Sequence, residues 1–166
     1  MAGGDTLNIA RNGEGTAIWF AGNLMTVKSP SVWSEGGFSL VEGLAPRGRA
    51  TPLHRDPSDE SFYVLEGELC FHVEGEERLA RAGDTIGVRR GTAHAFIVRS
   101  EQARFLVLNT PGTHDAFFAA AGEPAARREL PPAGPPDMGK MMAAATANGI
   151  EILGPPPFAE GVAESP

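Results

Sequence analysis

A chain of 166 residues with 42% hydrophobic content, 21 glycines and 14 prolines reads as one globular domain, rich in turns, with enough length to bury a core. Its net charge of −7 argues against nucleic acid or an anionic membrane surface as partner, because Lys28 stands alone and the arginines are scattered. A single cysteine, Cys70, excludes an internal disulfide and points to a reducing compartment.

In chain order, residues 1–15 form a polar, glycine-rich arm with neither the charged nor the apolar region of a secretory leader. No apolar run approaches the roughly 18 residues that span a bilayer, so a cytoplasmic location is expected. Residues 16–27, with AIWF and LMTV, suit one or two strands. A loop with a Gly36-Gly37 turn leads to a strand in which Phe38, Leu40 and Glu42 alternate with Ser39 and Val41, and residues 45–50 form a Pro/Gly loop.

Short strands then follow closely. Residues 61–65, a Glu66-Gly67 turn, residues 68–73, the segment ERLARAGD, and residues 85–88, 93–98 and 104–109 make up the series. Many brief strands with glycine turns and no long helix between them indicate an all-β sandwich or barrel.

After Pro111 the pattern turns helical. Thr113 is placed to cap HDAFFAAA, which ends at Gly122 and Pro124, and ARRELPPAGPP is a rigid linker. Asp137 is placed to cap MGKMMAAATANG, where Met138, Met141, Met142 and Ala145 share one face and Gly149 closes the helix. GIEIL is a short extended piece. The chain divides into an arm at 1–15, a barrel at 16–112, a helical extension packed on the barrel at 113–154 and a mobile tail at 155–166.

Chemistry concentrates in GRATPLHRDPSDESFYVLEG, residues 48–67, and in AGDTIGVRRGTAHAFIV, residues 82–98. His54, Asp56 and Glu60 in the first and His94 in the second are candidate metal ligands. Strand alternation puts His54 and Asp56 on one face, and Glu60 on one face with Phe62 and Val64. By the same parity Phe62, Val64, Phe71, Val73, Phe96 and Val98 point inward as an apolar substrate pocket.

These two stretches resemble the paired motifs of the cupin superfamily. Gly48, His54, Glu60 and Gly67 fall on the first motif's spacing, with Asp56 at its second-histidine position. Gly83, Gly91 and His94 match the second, with Arg89 for its proline and Val98 for its asparagine. Residues 16–157 as a whole resemble the single-domain quercetin-dioxygenase-like group. The resemblance implies a jelly-roll barrel, a double-stranded β-helix, with short C-terminal helices. It also implies one divalent transition metal (Fe, Ni, Mn, Co, Cu or Zn) on His54, Glu60 and His94, with Asp56 as a fourth ligand, and a homodimer.

Spacing alone does not choose the metal. Asp56 changes the charge: three neutral histidines and a glutamate leave a divalent site at +1, whereas two histidines with Asp56 and Glu60 leave it neutral. A neutral site attracts an ionised flavonol less strongly, which tells against ring-opening dioxygenation.

Blander readings stand beside these. His54 fits a solvated loop, Asp56 an ordinary turn before Pro57, and Glu60 a partner for an arginine. His72 is expected on the exterior, His114 in a first helical turn, and Cys70 as a small buried hydrophobe; the methionine helix is expected to pack on the barrel. Three functions follow. They are a metal-dependent dioxygenase with Glu60 as base, acting on a small apolar or aromatic metabolite, a metal-dependent isomerase, cyclase or lyase, and a non-catalytic small-molecule-binding barrel in which Asp56 marks a degraded metal site.

Overall fold

The computed structural model describes residues 6–158; residues 159–166 of the expected tail and 1–5 of the arm lie outside them. In chain order the strands are β1 (Thr16–Phe20), β2 (Asn23–Ser29), β3 (Ser39–Pro46), β4 (Leu53–Arg55), β5 (Asp59–Glu66), β6 (Glu68–Val73), β7 (Glu76–Arg81), β8 (Thr85–Val88), β9 (His94–Val98), β10 (Gln102–Thr110), β11 (Glu123–Pro124) and β12 (Glu151–Gly154). The helices are α1 (His114–Ala121) and α2 (Met138–Ala147).

The strands form two antiparallel sheets of the jelly-roll kind, ordered β11-β1-β2-β3-β10-β5-β8 and β12-β4-β9-β6-β7. Val41, Val64, Phe105 and Val107 from the first sheet meet Leu69, Phe71 and Val98 from the second in one buried cluster. Burying each such side chain contributes about 1.5–3 kcal/mol.

Alternation sets the inward face of the central strands. Glu60, Phe62 and Val64 of β5 are buried, as are Ala103, Phe105, Val107 and Asn109 of β10. Register places Phe105 opposite Val64, Val107 opposite Phe62, and Asn109 opposite both Glu60 and Ser39. The interior is therefore apolar along most of the sheet and turns polar at one end. On β3 the buried positions are Ser39, Val41, Gly43 and Ala45, so Leu40 and Glu42 lie on the other face. Gly43 leaves room for the Phe105 ring, which any side chain at 43 would strike.

The chain turns at Glu66-Gly67 as expected, and the turn joins the two sheets: β5 pairs with β10 and β8, while β6 pairs with β7 and β9. Gly67, at φ +78°, is the corner at which the chain leaves one sheet for the other. Two local expectations are corrected. Thr113 makes no side-chain cap for α1, because its hydroxyl pairs with Ser58 Oγ at 2.9 Å. The 45–50 loop is shorter than read, since β3 runs to Pro46 and Ala50 bridges to Ile97.

Asp137 caps α2, accepting from Lys140 N–H at 2.9 Å. The buried stripe of α2 is Met141, Ala144 and Ala145, with Met138 and Met142 exposed, and the helix packs on α1 and β12. The segment after residue 113 also adds a strand to each sheet. β11 pairs with β1, and β12 pairs with β4, setting Ile152 opposite His54.

Candidate metal centre and apolar cavity

His54 on β4 and His94 on β9 are direct cross-strand partners, with ring centroids 4.3 Å apart. Each ring is fixed the same way: His54 Nδ1 donates to the Pro52 carbonyl at 2.8 Å and His94 Nδ1 to the Thr92 carbonyl at 2.9 Å. A ring whose Nδ1–H is so engaged presents the bare lone pair of Nε2, the form that binds metals. Glu60, the first inward residue of β5, meets them from the opposite sheet, its Oε2 2.6 Å from His94 Nε2. His54, Glu60 and His94 thus offer three ligand atoms within 4.8 Å of one another.

Asp56, 3% exposed, falls into a second group. Its Oδ2 lies 3.2 Å from Nε2 of His114, and the same nitrogen lies 3.4 Å from Glu60 Oε1. Asp56, Glu60 and His114 lie within 4.8 Å of one another. His114 reaches the site because α1 begins at that residue and packs Phe117 and Phe118 against Phe20.

Opposing effects set the charges. Burial pushes Glu60 up, but the hydrogen bond from His94 and the nearby His114 and His54 rings hold it below the usual carboxylate range. Burial disfavours charge on His94 and His114, yet Glu60 and Asp56 lift both above an ordinary imidazole. His54, buried beside His94, is held below. The donor set fits a first-row divalent ion: two imidazoles whose Nε2 atoms face the site, and two buried carboxylates, Glu60, which lies against His94, and Asp56, whose Oδ2 makes no hydrogen bond.

A cavity of about 370 Å³ opens from these residues. Phe20, Phe62, Phe96, Phe105, Phe117 and Met141 give it apolar walls, and Arg49 is the one guanidinium or ammonium group on its described lining. Arg49 has no ionic partner among the described residues. Its guanidinium lies over Gly22, where a Cβ would fall 2.6 Å from Nε.

Of the expected pocket residues, Phe62 and Phe96 line this cavity. Val64, Phe71 and Val98 lie in the closed core, and Val73 packs against it. His72 is half-buried with its ring against Phe158. Cys70 is buried, with burial and Glu77 raising its thiol. His114, Arg49 and the α1 phenylalanines were not among the site residues expected from sequence; HDAFF gave a helix without showing that its first residue turns inward.

Residues 40–109 match the cupin domain family model, a span holding His54, Asp56, Glu60 and His94 but not His114. The chain is 26% identical over 117 residues to a quercetin 2,3-dioxygenase of Bacillus subtilis, covering 70% of this chain and 35% of that protein. It is 33% identical over 66 residues to an uncharacterized protein of Methanocaldococcus jannaschii, covering 39% and 53%. The chain thus spans about a third and about half of the length of these relatives.

Among solved structures, an RmlC-like cupin of Shewanella frigidimarina matches with TM-score 0.58 at 18% identity, covering 66% of this chain and 96% of that one. A predicted oxalate decarboxylase of Thermotoga maritima matches with TM-score 0.56 at 21%, covering 62% and 98%. At these identities the likeness is one of fold. No helix among the described residues is long and apolar enough to cross a membrane.

Proposed function

We propose that the chain, whose residues 40–109 match the cupin domain family model, is a metal-dependent enzyme acting on a small apolar or aromatic metabolite. The observation that carries this reading is the convergence of His54, Glu60 and His94 at the polar end of a phenylalanine-walled cavity. Those three residues would hold the ion, with Asp56 beside them. A bound first-row ion would supply Lewis acidity and open positions for substrate or dioxygen.

The chain's own groups do the rest. The phenylalanines exclude water and hold an aromatic ring, Arg49 receives an acidic substituent, and Glu60 Oε1 stands ready to accept a substrate proton. The Bacillus subtilis relative supports an oxygenase of the quercetinase kind. A non-oxidative isomerase, cyclase or lyase is the second reading. It is favoured by the two buried carboxylates, Asp56 and Glu60, which offset a divalent charge and weaken the hold on an ionised flavonol. Homodimerisation belongs to the same family-based reading.

The test is metal analysis of the loaded protein followed by turnover with and without air. We expect bound metal, lost in His54→Ala and His94→Ala. Flavonol consumption with dioxygen uptake supports the oxygenase, and undiminished turnover under argon supports the second reading. A chain that retains no metal after loading with Fe, Ni, Mn, Co, Cu or Zn overturns both.

A further inference from the structure

Asp56, Glu60 and His114 are 3%, 3% and 6% exposed and converge without being joined by good hydrogen bonds. A carboxylate bonded to an imidazolium closes to about 2.7–2.9 Å, yet His114 Nε2 stands 3.2 Å from Asp56 Oδ2 and 3.4 Å from Glu60 Oε1. Those are separations of neighbouring ligands on one ion: metal bonds of about 2.0–2.1 Å at tetrahedral or right angles put adjacent donors roughly 2.9–3.4 Å apart. Asp56 Oδ2 is buried and makes no hydrogen bond, a state that a cation would relieve.

Glu60 is the hinge of the arrangement. It turns Oε2 to His94 and Oε1 to His114, so one carboxylate serves both groups with different oxygens. The two groups share Glu60 and no other side chain.

We propose that Asp56, Glu60 and His114 form a second divalent-cation site, making the centre dinuclear with Glu60 as the bridge. The proposal rests on the metal reading above and changes one part of it, because a bridging Glu60 no longer has an oxygen free to act as base. It also alters the charge argument: two divalent ions against Asp56 and Glu60 leave the centre at +2. Such a centre favours an anionic substrate, in keeping with Arg49 on the cavity wall.

The experiment is anaerobic calorimetric titration of chelator-stripped full-length protein with Co²⁺ or Mn²⁺ alone, paired with elemental analysis after gel filtration. Wild type should take two equivalents per chain, and His114→Gln and Asp56→Asn should each take one. Circular dichroism confirms folding, and a variant that does not fold is read through the other. Paramagnetic coupling between the two ions should appear in wild type and vanish in both variants. One equivalent in wild type overturns this proposal and leaves the single-ion reading standing. Two equivalents undiminished in both variants also overturn it, and no binding at all overturns the metal reading itself.

Discussion

His94 Nε2 and Glu60 Oε2 lie 2.6 Å apart, buried together across the two sheets. The contact makes the Glu60 carboxylate and the His94 ring each other's partner whenever no cation lies between them. Removing the carboxylate charge therefore removes both a ligand and the group that keeps His94 basic. Glu60→Gln should lower metal affinity at least about 10-fold, given that loss even of a group supporting a ligand costs 10–100-fold. Calorimetric titration checks this.

The same pair sets a pH window for the metal-free protein. Glu60 is depressed below its ordinary 4.5 on folding, so its contribution is present above that pH and lost as pH falls through its lowered value. His94 is raised above 6.5, so its contribution is full below 6.5 and lost as pH rises through its raised value. Melting temperatures of stripped wild type and Glu60→Gln should differ most between pH 4.5 and 6.5 and converge on either side. Glu60 also helps to lift His114 and partly offsets the lowering of His54, so both rings lose that support in Glu60→Gln and add to the difference within the same window.

The corner at Gly67 is a backbone requirement. Its φ of +78° lies in the left-handed region, and a Cβ there would strike the Gln102 carbonyl and Ser100 Oγ. Gly67→Ala should cost about 1–3 kcal/mol from backbone strain alone, read as a lowered urea midpoint with an unchanged slope. Gly75→Ala is the control: its φ is +88°, but nothing lies near its would-be Cβ, so it should cost less.

How far the sequence led can be followed residue by residue. His54, Asp56, Glu60 and His94 declare themselves because motif spacing is local, and β pairing then sets His54 opposite His94. His114 stays hidden because a helix's first residue turns inward only through packing, here of Phe117 and Phe118 on Phe20. Strand parity puts Phe62, Val64, Phe71 and Val98 on an inward face but says nothing of depth along it. The cavity occupies one end of the sandwich, so Phe62 lines it while Val64 and Phe71 are closed into the core. GIEIL reads as extended, yet its partner is β4, roughly a hundred residues away, and no local pattern reports such a pairing.

Depth in turn separates stability from binding. Phe62 is 4% exposed and packs edge-on against Phe71 at 5.0 Å, so Phe62→Ala should cost about 3–5 kcal/mol. Met138 also lines the cavity but is 52% exposed. Met138→Ala should therefore change stability by only about 0.5 kcal/mol while weakening an apolar ligand. Denaturant melts set beside fluorescence titration with a naphthalene probe separate the two effects.

Arg49 gives the sharpest test of substrate class. It is a half-buried cation on an otherwise apolar wall, without an ionic partner among the described residues. A carboxylate entering the cavity would gain a charge-assisted hydrogen bond of about 1.5–3 kcal/mol, roughly 10–100-fold in affinity. The neutral amide of the same aromatic skeleton would gain far less. Arg49→Gln should therefore weaken binding of a naphthoate or cinnamate by at least about 10-fold and leave the matching amide nearly unchanged. Arg49→Lys should recover part of the loss through its charge while lacking the planar fork that grips both carboxylate oxygens. Equal losses for acid and amide in Arg49→Gln would mean that the residue only shapes the wall, and an acidic substituent would drop out of the proposed substrate.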